Sequence, residues 1–259
     1  MRSTSDLDEV FLLRACGLTQ SQIARRTNVS QRTVSRWLAA GYDAVLTSPM
    51  RAVRAASEGC PDLCPRRETA NHGHYAYLLG QYLGDGTLVR TRGRVHRLFI
   101  TCCADYPAII AECRRAIAAV LPTNAVGSRA KPGAVDITCY STHWPCLLPQ
   151  HGPGRKHTRP IVLEPWQAAI VLGSHPERFL RGLVHSDGCR TVNRVRGANG
   201  NRYSYARYMF TNRSDDVRGL FTAACDRLGV EWRQMNRYTV AVSRRASVAR
   251  LDSFVGPKQ

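Results

Sequence analysis

Two aspartates, Asp85 and Asp187, each close an apolar nonapeptide, and the nonapeptides lie 102 positions apart in a chain of 259 residues. The first, residues 78–86, reads Leu-Leu-Gly-Gln-Tyr-Leu-Gly-Asp-Gly, and the second, residues 180–188, reads Leu-Arg-Gly-Leu-Val-His-Ser-Asp-Gly. Their apolar residues recur with a helical period, and the closing glycine predicts a helix that ends in the left-handed conformation. A carboxylate at a helix C-terminus faces the negative end of the helix dipole. Two such ends side by side would repel each other, so the pattern predicts a bound cation there.

Small residues at i, i+4 spacing indicate how the two helices are placed. Gly80 with Gly84, and Gly182 with Ser186, give each helix a strip without large side chains on one face. Two such strips allow helix backbones to pack almost in contact, as small residues do between membrane helices. The spacing therefore predicts that the helices pack together and bring both aspartates to one place. Two buried helices with incidental terminal aspartates are the alternative interpretation, because a single apolar helix ending in Asp-Gly is common.

The segments around the nonapeptides also repeat, which predicts an α+β fold. In each copy the helix is followed by two strand-like runs, a helix, two further strand-like runs and a last helix. In the first copy these lie at 87–91, 95–102, 104–121, 125–128, 134–140 and 144–148. In the second copy they lie at 189–195, 204–212, 215–228, 231–236, 238–243 and 246–254. The sequence thus predicts a tandem, pseudo-symmetric αββαββα repeat with halves at 75–150 and 175–259, joined by a basic connector at 151–174 with a helix from 165 to 172.

Residues 1–43 predict a separate, all-α helix-turn-helix domain. A helix at 8–16 ends before Gly17, a capping box of Thr19 and Gln22 begins a second helix, and Ser30 caps a third. The third helix buries one apolar face and leaves polar side chains of the kind that read base edges in the major groove. These candidate DNA-binding residues are Gln31, Arg32, Thr33, Ser35 and Arg36. A helical pair used only for packing or dimerisation is the alternative.

Residues 44–74 show no sustained period and predict a linker. Cys60, Cys64, His72 and His74 are candidate zinc ligands, since the cysteine spacing lies within the range found in zinc sites. The His-x-His pair lies outside the usual spacing, so we favour a loop with two incidental thiols. The other cysteines are scattered and predict small core residues in a reducing compartment.

The charge balance predicts a polyanionic partner. The chain has 37 Lys and Arg against 19 Asp and Glu, a net charge of +18 and a pI near 10.1. Nearly all of the positive charge is arginine, which suits bidentate contacts with phosphate and guanine. Codon bias explains a high Arg:Lys ratio but not the net excess. The sequence has no signal peptide or 18-residue apolar stretch, so we expect a cytoplasmic, nucleoid-associated protein without a membrane partner or a small-molecule substrate.

The two nonapeptides resemble the signature motif of the LAGLIDADG homing endonucleases, in the form that carries two copies on one chain. Asp85 and Asp187 match the metal-binding acidic position of that family, the last residue before the closing glycine. The resemblance implies an antiparallel sheet in each half, the two sheets forming a saddle over double-stranded DNA. It also implies that Asp85, Asp187 and the backbone carbonyls of Gly84 and Ser186 hold Mg²⁺, which prefers such oxygen ligands. The ions would activate water and stabilise the leaving oxygen, so no side-chain base is required.

The resemblance further suggests roles for basic residues. A lysine often lies near the scissile phosphates in the family, and Lys156 in the connector is the candidate, with a solvated or phosphate-contacting loop lysine as the alternative. Arginines in the two hairpins are candidate groove-facing residues, with solvated surface positions as the alternative: Arg90, Arg92, Arg94, Arg190, Arg194, Arg196, Arg202 and Arg207. Two positions depart from the family pattern, Leu83 and His185, and we interpret His185 as a core residue.

Three functions are compatible with these features. The first is a sequence-specific, Mg²⁺-dependent DNA endonuclease whose helix-turn-helix adds affinity for the site. The second is a transcriptional regulator that uses the same fold to bind DNA without cleaving it. Retention of both Asp85 and Asp187 favours the first, because a protein that only binds DNA has no use for two facing carboxylates. The third, an RNA-binding protein or intron maturase, is disfavoured by the helix-turn-helix. We expect a monomer, and dimerisation through the helix-turn-helix stays open.

Overall fold

The structure of the protein is a computed structural model that describes residues 4–46, 64, 67, 71–91, 93–196, 200–256 and 258. The chain divides into two compact units, Met1–Asp62 and Leu63–Gln259. Each unit has its own hydrophobic core. The helices of the smaller unit pack around one core, and the two sheets of the larger unit pack against the other.

The smaller unit contains the helix-turn-helix predicted from the sequence. Its helices are α1 (Thr4–Ala15), α2 (Gln20–Thr27), α3 (Gln31–Ala40) and α4 (Tyr42–Leu46). Thr19 begins α2 in a capping box with Gln22, and the Ser30 hydroxyl accepts a hydrogen bond from the Thr33 backbone N–H at the start of α3. Helix α4 extends into the segment predicted as a linker from residue 44. The core draws on the first three helices through Leu7, Val10, Ile23, Val34 and Trp37.

The first half of the larger unit begins with a long helix that leads directly into an antiparallel sheet. Its elements are α5 (His72–Asp85), β1 (Gly86–Arg90), β2 (His96–Cys103), α6 (Pro107–Val120), β3 (Val126–Lys131), β4 (Ala134–Ser141) and α7 (Trp144–Leu147). The strand order in the sheet is β1-β2-β4-β3. Helix α6 begins later than the predicted residue 104, because proline is favoured in the first turn of a helix and Pro107 occupies it.

The connector between the halves has two short helical elements. A 3₁₀ turn spans Lys156–Thr158, and α8 (Pro165–Ala168) continues as a π-helical turn over Ala169–Ser174. The helix predicted at 165–172 therefore changes its hydrogen bonding after Ala168. The wider turn ends with the His175 N–H donating to the Ile170 carbonyl at 2.7 Å, just before the next long helix.

The second half repeats the first. Its elements are α9 (Pro176–Asp187), β5 (Gly188–Arg196), β6 (Arg202–Thr211), α10 (Asp215–Arg227), β7 (Arg233–Asn236), β8 (Thr239–Val242) and α11 (Arg245–Asp252). The strand order β5-β6-β8-β7 matches that of the first sheet. Gly86 pairs with Ile100, and Gly188 pairs with Phe210, so the first hairpins of the two halves share their register. The predicted α+β fold with tandem αββαββα halves is confirmed.

Helices α5 and α9, called the paired helices below, pack backbone against backbone as their small residues predict. A Cβ added to Gly80 would lie 2.6 Å from the carbonyl oxygen of Phe179, and one added to Gly182 would overlap the carbonyl oxygen of Tyr77. No side chain fits between the helices at these contacts. The two helices therefore approach closely, and their C-terminal ends lie side by side.

The glycines that close the paired helices do not adopt the predicted left-handed conformation. Gly86 has φ −89° and Gly188 has φ −103°, both extended, because each helix passes without a turn into the first strand of its sheet. Glycine is needed at these positions for space. A Cβ on Gly86 would lie 2.5 Å from the Tyr82 Cα, and one on Gly188 would lie 2.8 Å from the Val184 Cα. The predicted helix ends were right, but the predicted conformation was wrong.

The core of the larger unit surrounds the paired helices. It contains Tyr75, Leu79 and Phe179 from these helices, and four of the eight described cysteines that were predicted as core residues are buried thiols within it, whereas Cys16, Cys103 and Cys189 are exposed. The four within the core are Cys102, Cys113, Cys139 and Cys225. In the described segments no helix combines the length and the apolar character needed to cross a membrane.

A paired-carboxylate site at the ends of two helices

The ends of the paired helices open into a cleft of about 550 Å³ that contains both predicted carboxylates. Asp85 and Asp187 line this cleft together with connector residues 151, 152, 154–157 and 159, and residues 211–213 at the end of β6. The Asp187 side chain reaches across the end of α5, since a Cβ added to Gly84 would lie 3.0 Å from Asp187 Oδ2. The structure therefore brings together the two residues that the sequence predicts as one site.

Both carboxylates are harder to ionise than an isolated aspartate. Burial, followed by repulsion from Asp187, raises the pKa of Asp85 to about 6, although Lys156 and Lys258 oppose the rise. Burial also raises the pKa of Asp187, against the opposing effects of a hydrogen bond from Asn212 and of the two lysines. The Asp85 side chain remains accessible to solvent. A cation that joins two such carboxylates stabilises their ionised forms, and clefts with perturbed carboxylates are typical of functional sites.

Two lysines supply positive charge at the same helix ends. Lys156 Nζ donates hydrogen bonds to the carbonyl of Gly84 at 2.9 Å and to that of Tyr82, and it lies 5.0 Å from the centre of the Tyr82 ring. Lys258 Nζ donates to the carbonyl of Ser186 at 3.3 Å. Carbonyls at a helix C-terminus carry partial negative charge and attract cations. The two carbonyls predicted as metal ligands thus already bind positive groups.

The sequence predicts Lys156 in this site but not Lys258. The two lysines are 102 positions apart, the same offset as the two aspartates, and a glycine stands two residues before each. Extending the repeat beyond its last helix would therefore have identified Lys258 as the counterpart of Lys156. Burial lowers the pKa of Lys156 to about 8 and also lowers the pKa of Lys258, while Asp85 and Asp187 oppose both shifts.

The two aspartates differ in their hydrogen bonds. Asn212 Nδ2 donates to Asp187 Oδ2 at 2.6 Å, whereas Asp85 makes no side-chain hydrogen bond within the described part of the chain. In the first half, the position equivalent to Asn212 is occupied by Cys102, a buried thiol. Sequence reasoning missed Asn212, because its contact with Asp187 joins two elements that only the fold brings together.

Strand pairing decides which face of its sheet each arginine occupies. In β6 the buried residues Tyr208 and Phe210 face the helices, so Arg207 faces outward. Arg97 holds the equivalent outward position in β2 and was not predicted. Aligning residues 98–101 with 208–211 would have matched Arg97 with Arg207 in the repeat. The Nε atoms of both guanidinium groups are buried and have no hydrogen-bond partner among the described residues. In Arg97 the guanidinium group lies over the rings of Phe99, at 4.3 Å, and Tyr140, at 5.2 Å, which hold it on this face.

Two predicted arginines occupy other positions than the groove-facing ones expected. Arg190 lies on the helix-facing side of β5, where it binds both carboxylate oxygens of Asp252 at 2.8 and 2.9 Å and so ties β5 to α11. Arg90 lies on the same face as Leu88, and its Nε donates to the Gly93 carbonyl at 3.1 Å, which stabilises the hairpin turn. Arg92 lies outside the described residues. Strand pairing also puts Arg194, Arg196 and Arg202 on the face of Arg190 and not on that of Arg207, although all three are exposed. Arg94 is exposed in the first hairpin.

In the smaller unit, α3 exposes most of the side chains predicted to contact DNA. The exposed ones are Gln31, Arg32, Ser35 and Arg36. Thr33 differs, because its hydroxyl lies 2.8 Å from the Ser30 hydroxyl and its N–H donates to the same oxygen at 3.3 Å. Thr33 therefore takes part in capping the helix and is less available to a ligand.

Three of the four candidate zinc ligands lie in the described part of the chain and form no site there. Cys64 is buried with its Sγ 3.4 Å from His143 Nδ1, and His74 Nδ1 lies 3.0 Å from Asn71 Oδ1 at the start of α5. Within these described segments no group of three or more His, Cys, Asp or Glu side chains could hold a metal. Cys60 lies outside them.

Comparisons with known proteins found one family model and several similar solved structures. Residues 9–42 match the family model of a homeodomain-like domain. The solved structure of the homing endonuclease I-DmoI in complex with DNA and Mn resembles the chain at 14% identity with a TM-score of 0.46, over 73% of this chain and 99% of that one. The LAGLIDADG meganuclease I-AabMI bound to uncleaved DNA gives 14% identity and a TM-score of 0.44, over 70% and 82%.

A third similar structure is the N-terminal LAGLIDADG domain of DUF199/WhiA, with 13% identity and a TM-score of 0.43, over 75% of this chain and 91% of that one. No curated protein sequence matches the chain. The similar solved structures thus include proteins of the family whose signature motif the two nonapeptides resemble.

Proposed function

We propose that the chain is a sequence-specific endonuclease that hydrolyses phosphodiester bonds of double-stranded DNA with the help of Mg²⁺. The observation that carries this proposal is the pair of aspartates from repeated helices in one cleft, where burial and mutual repulsion raise the pKa of Asp85 to about 6. Two facing carboxylates at negative helix ends destabilise a fold unless a cation joins them. A divalent metal ion is the cofactor that such a site suits best.

The atoms available in the cleft fit a hard divalent cation. Asp85 and Asp187 provide carboxylate oxygens, and Gly84 and Ser186 provide backbone carbonyls that already accept hydrogen bonds from ammonium groups. Mg²⁺ prefers oxygen ligands of this kind, whereas zinc is usually bound by nitrogen and sulfur. When bound, Mg²⁺ lowers the pKa of the attacking water and stabilises the leaving oxygen.

Other polar side chains at the ends of the paired helices would bind and orient the reacting groups. Lys156 and Lys258 place two ammonium groups at the helix ends, where they attract the scissile phosphates. Asn212 fixes the orientation of the Asp187 carboxylate through its 2.6 Å hydrogen bond. Within the described segments no His or Glu side chain forms a hydrogen bond with either aspartate, and we assign no side chain as general base.

The outward faces of the two sheets support binding of a DNA duplex. Arg97 and Arg207 stand at equivalent positions with buried, unpaired Nε atoms. Exposed aromatic rings lie on the same faces, namely Tyr140 opposite Arg97, and Tyr203 and Tyr205 on the strand that carries Arg207. Arginine binds phosphate and guanine edges, and apolar groups contact thymine methyls in the major groove. The net charge of +18 strengthens the attraction to DNA.

The helix-turn-helix supports a second contact with the same DNA. The exposed side chains of α3, among them Gln31 and Arg36, are polar and able to read base edges. Two DNA-binding modules on one chain raise the effective concentration of the second after the first has bound. We therefore expect the smaller unit to increase affinity and extend the recognised site.

A DNA-binding transcriptional regulator without cleavage activity is the alternative function. The observation that favours it is the pair of lysines, because Lys156 and Lys258 provide two positive charges at the helix ends without a metal ion. A protein that relies on these lysines alone would bind DNA and leave it intact. The two functions differ in their response to Mg²⁺.

The test begins with selection of bound duplexes from a random DNA library in the presence of a chelator. Mg²⁺ is then added to complexes of the recovered duplexes with the wild type, Asp85→Asn, Asp187→Asn and the control Asp226→Asn. Asp226 is an exposed carboxylate on α10 whose hydrogen bond from Trp232 an asparagine can still accept.

We expect all four proteins to bind, and only the wild type and Asp226→Asn to cut the DNA when Mg²⁺ is present. Binding by all four proteins without scission would overturn the nuclease proposal and identify the regulator. Scission by Asp85→Asn and Asp187→Asn at the wild-type rate would place the chemistry elsewhere.

A further inference from the structure

The segment that carries Lys258 is fastened along α9. Arg181 Nη1 donates hydrogen bonds to the carbonyls of Phe254, at 2.9 Å, and Val255. His185 lies 2.9 Å from the Val255 carbonyl through its Nε2. The next residue on α9 is Ser186, and its carbonyl accepts a hydrogen bond from Lys258 Nζ. Residues 254–256 and Lys258, called the anchored segment below, therefore follow α9 towards the carboxylate site.

The first anchor, Arg181, is oriented by a residue of the other half. Both carboxylate oxygens of Glu112 on α6 accept hydrogen bonds from Arg181, through Nε at 2.9 and 3.0 Å and through Nη2 at 2.7 Å. Arg178 also donates to Glu112 at 2.9 Å. Glu112 is only 6% exposed, so these charge-assisted hydrogen bonds hold one geometry of the guanidinium group. In that geometry Nη1 points at the carbonyls of the anchored segment.

The second anchor, His185, is oriented in the same manner. The Val255 carbonyl can only accept a hydrogen bond, so the hydrogen lies on His185 Nε2, and Nδ1 accepts from the Tyr77 hydroxyl at 3.1 Å. Tyr77 OH in turn accepts from Gln81 Nε2 at 3.0 Å. Tyr77 and Gln81 belong to α5, which is part of the first half. Both contacts of the anchored segment are thus set by side chains from the opposite half of the repeat.

We propose that Glu112 and Arg181 are positioning residues that hold the anchored segment so that the Lys258 ammonium lies at the end of α9. The placement of Lys258 stands on these contacts alone, and its effect on DNA cleavage rests on the nuclease function proposed above. Lys156 provides an internal comparison, because its connector is held by a different contact, Arg159 Nη2 donating to the Gln150 carbonyl at 3.1 Å. Loss of Glu112 should therefore displace Lys258 and leave Lys156 in place.

The small number of lysines makes this placement measurable without DNA or metal. The chain has only Lys131, Lys156 and Lys258, so incorporation of lysine labelled with ¹³C at the ε carbon gives three side-chain NMR signals. Single Lys→Arg variants assign each signal. In Glu112→Gln we expect the Lys258 signal to move to the shift and line width of a free lysine, while the signals of Lys131 and Lys156 stay unchanged.

Two results would overturn the placement. One is an unchanged Lys258 signal in folded Glu112→Gln, and the other is an equal displacement of the Lys156 signal. If circular dichroism shows that Glu112→Gln does not fold, the same NMR measurement is made on Arg181→Lys. We again expect the Lys258 signal to move and the signals of Lys131 and Lys156 to stay unchanged. That variant keeps a positive charge beside Glu112 but has one nitrogen in place of the separate Nη1 and Nη2, which bind the anchored segment and Glu112 respectively.

Cleavage of a selected duplex provides the functional readout. We expect Lys258→Met and Glu112→Gln to slow cutting of the same single strand at least about tenfold, because a displaced group loses its orientation. DNA affinity should fall by no more than the loss of one phosphate contact. The double variant should be no slower than either single variant, since both changes act through one ammonium group. Multiplicative slowing, or equal slowing of both strands, would contradict a positioning role. Absence of cleavage by the wild type would refute the nuclease function and leave the NMR result standing.

Discussion

Lys156 in the connector and Lys258 beyond α11 lie 102 positions apart, and each donates a hydrogen bond to the backbone carbonyl of the residue before an aspartate. The acceptors are Gly84 for Lys156, at 2.9 Å, and Ser186 for Lys258, at 3.3 Å. The repeat thus contributes one carboxylate from each half to the same cleft, and one ammonium group lies at the end of each paired helix. Such a pseudo-symmetric arrangement matches a duplex, which presents two strands of opposite direction.

Removing the charge of Asp85 should stabilise the protein in the presence of a chelator. The pKa of Asp85 in the folded protein is about 6, above the usual 3.8, so the ionised carboxylate costs stability that grows from about pH 4 to pH 6 and persists above. Asp85→Asn removes this cost. We expect the free energy of unfolding of Asp85→Asn, measured with urea at pH 7, to exceed that of the wild type by about 1 kcal/mol. This value is reduced for solvent screening, because the Asp85 carboxylate is accessible.

The gain in Asp85→Asn should disappear near pH 4, where wild-type Asp85 is protonated. Asp226→Asn, which alters an exposed carboxylate on α10, should leave stability unchanged at both pH values. If Asp85→Asn is instead less stable than the wild type at pH 7, the attraction of Asp85 to Lys156 and Lys258 outweighs the cost of its burial and of its repulsion from Asp187.

The close approach of the paired helices should make Gly80→Ala strongly destabilising. The added Cβ would lie 2.6 Å from the Phe179 carbonyl and 2.8 Å from the Leu183 nitrogen, so backbone must move. We expect a loss of about 2–4 kcal/mol in the free energy of unfolding. Gly219→Ala on α10 is the matched control, because nothing lies within 4 Å of its added Cβ. Alanine there should stabilise the helix by up to about 1 kcal/mol, and equal effects at both sites would contradict close helix packing.

The ion pair at Glu112 should make stability fall in acid. Burial alone would raise the pKa of Glu112, but the hydrogen bond from Arg181 and the charges of Arg181 and Arg178 outweigh it, and the pKa is lowered from its usual 4.5. A lowered pKa means that the carboxylate contributes stability above pH 4.5 and loses it as the pH falls through the folded-state pKa. Glu112→Gln leaves two arginines unpaired and should cost about 3–5 kcal/mol at pH 7.

The difference between the wild type and Glu112→Gln should shrink as the pH is lowered from 7 to 3, when both are followed by urea unfolding. Glu231→Gln is the control, since Glu231 pairs with Arg244 at 3.0 Å on the surface, where ion pairs contribute little. Parallel stability curves for the wild type and Glu112→Gln over this range would refute the assigned pKa shift.

Two outward-facing arginines should carry a measurable part of DNA binding. Arg97→Ala and Arg207→Ala each remove a guanidinium group whose Nε is buried without a partner among the described residues. We expect about tenfold weaker binding for each, with the salt dependence reduced by about one phosphate contact if phosphate is the ligand. Binding is measured by titration of a fluorescent selected duplex at several salt concentrations. Arg244→Ala, on the surface with Glu231, should bind as the wild type does, and equal losses for all three variants would indicate general electrostatics only.

The sequence predicts the parts of the fold that periodicity and repetition define. Apolar period and capping residues located α2 and α3, and the repeat located both sheets and the pair Asp85 and Asp187. The conformation of Gly86 and Gly188 was mispredicted because a glycine after a helix usually marks a left-handed turn, whereas here it makes room for an immediate strand.

Lys258 and Arg97 could have been found by extending the repeat, but other parts of the site depend on tertiary contacts. Asn212 meets Asp187 only because β6 ends beside α9, and composition or spacing gives no sign of this. The arginines were assigned by their location in hairpins, but strand pairing sends Arg190 to Asp252 and leaves Arg97 on the outward face. A side-chain period of two makes such assignments depend on register, which buried neighbours fix.

The most direct test is strand scission by Mg²⁺ on a selected duplex labelled at both ends, with the wild type compared with the double variant Asp85→Asn, Asp187→Asn. We expect the wild type to cut once in each strand after Mg²⁺ is added, and the double variant to bind the same duplex without cutting either strand. An intact duplex after prolonged incubation with saturating wild-type protein and Mg²⁺ would contradict the proposal that the paired carboxylates form a nuclease site.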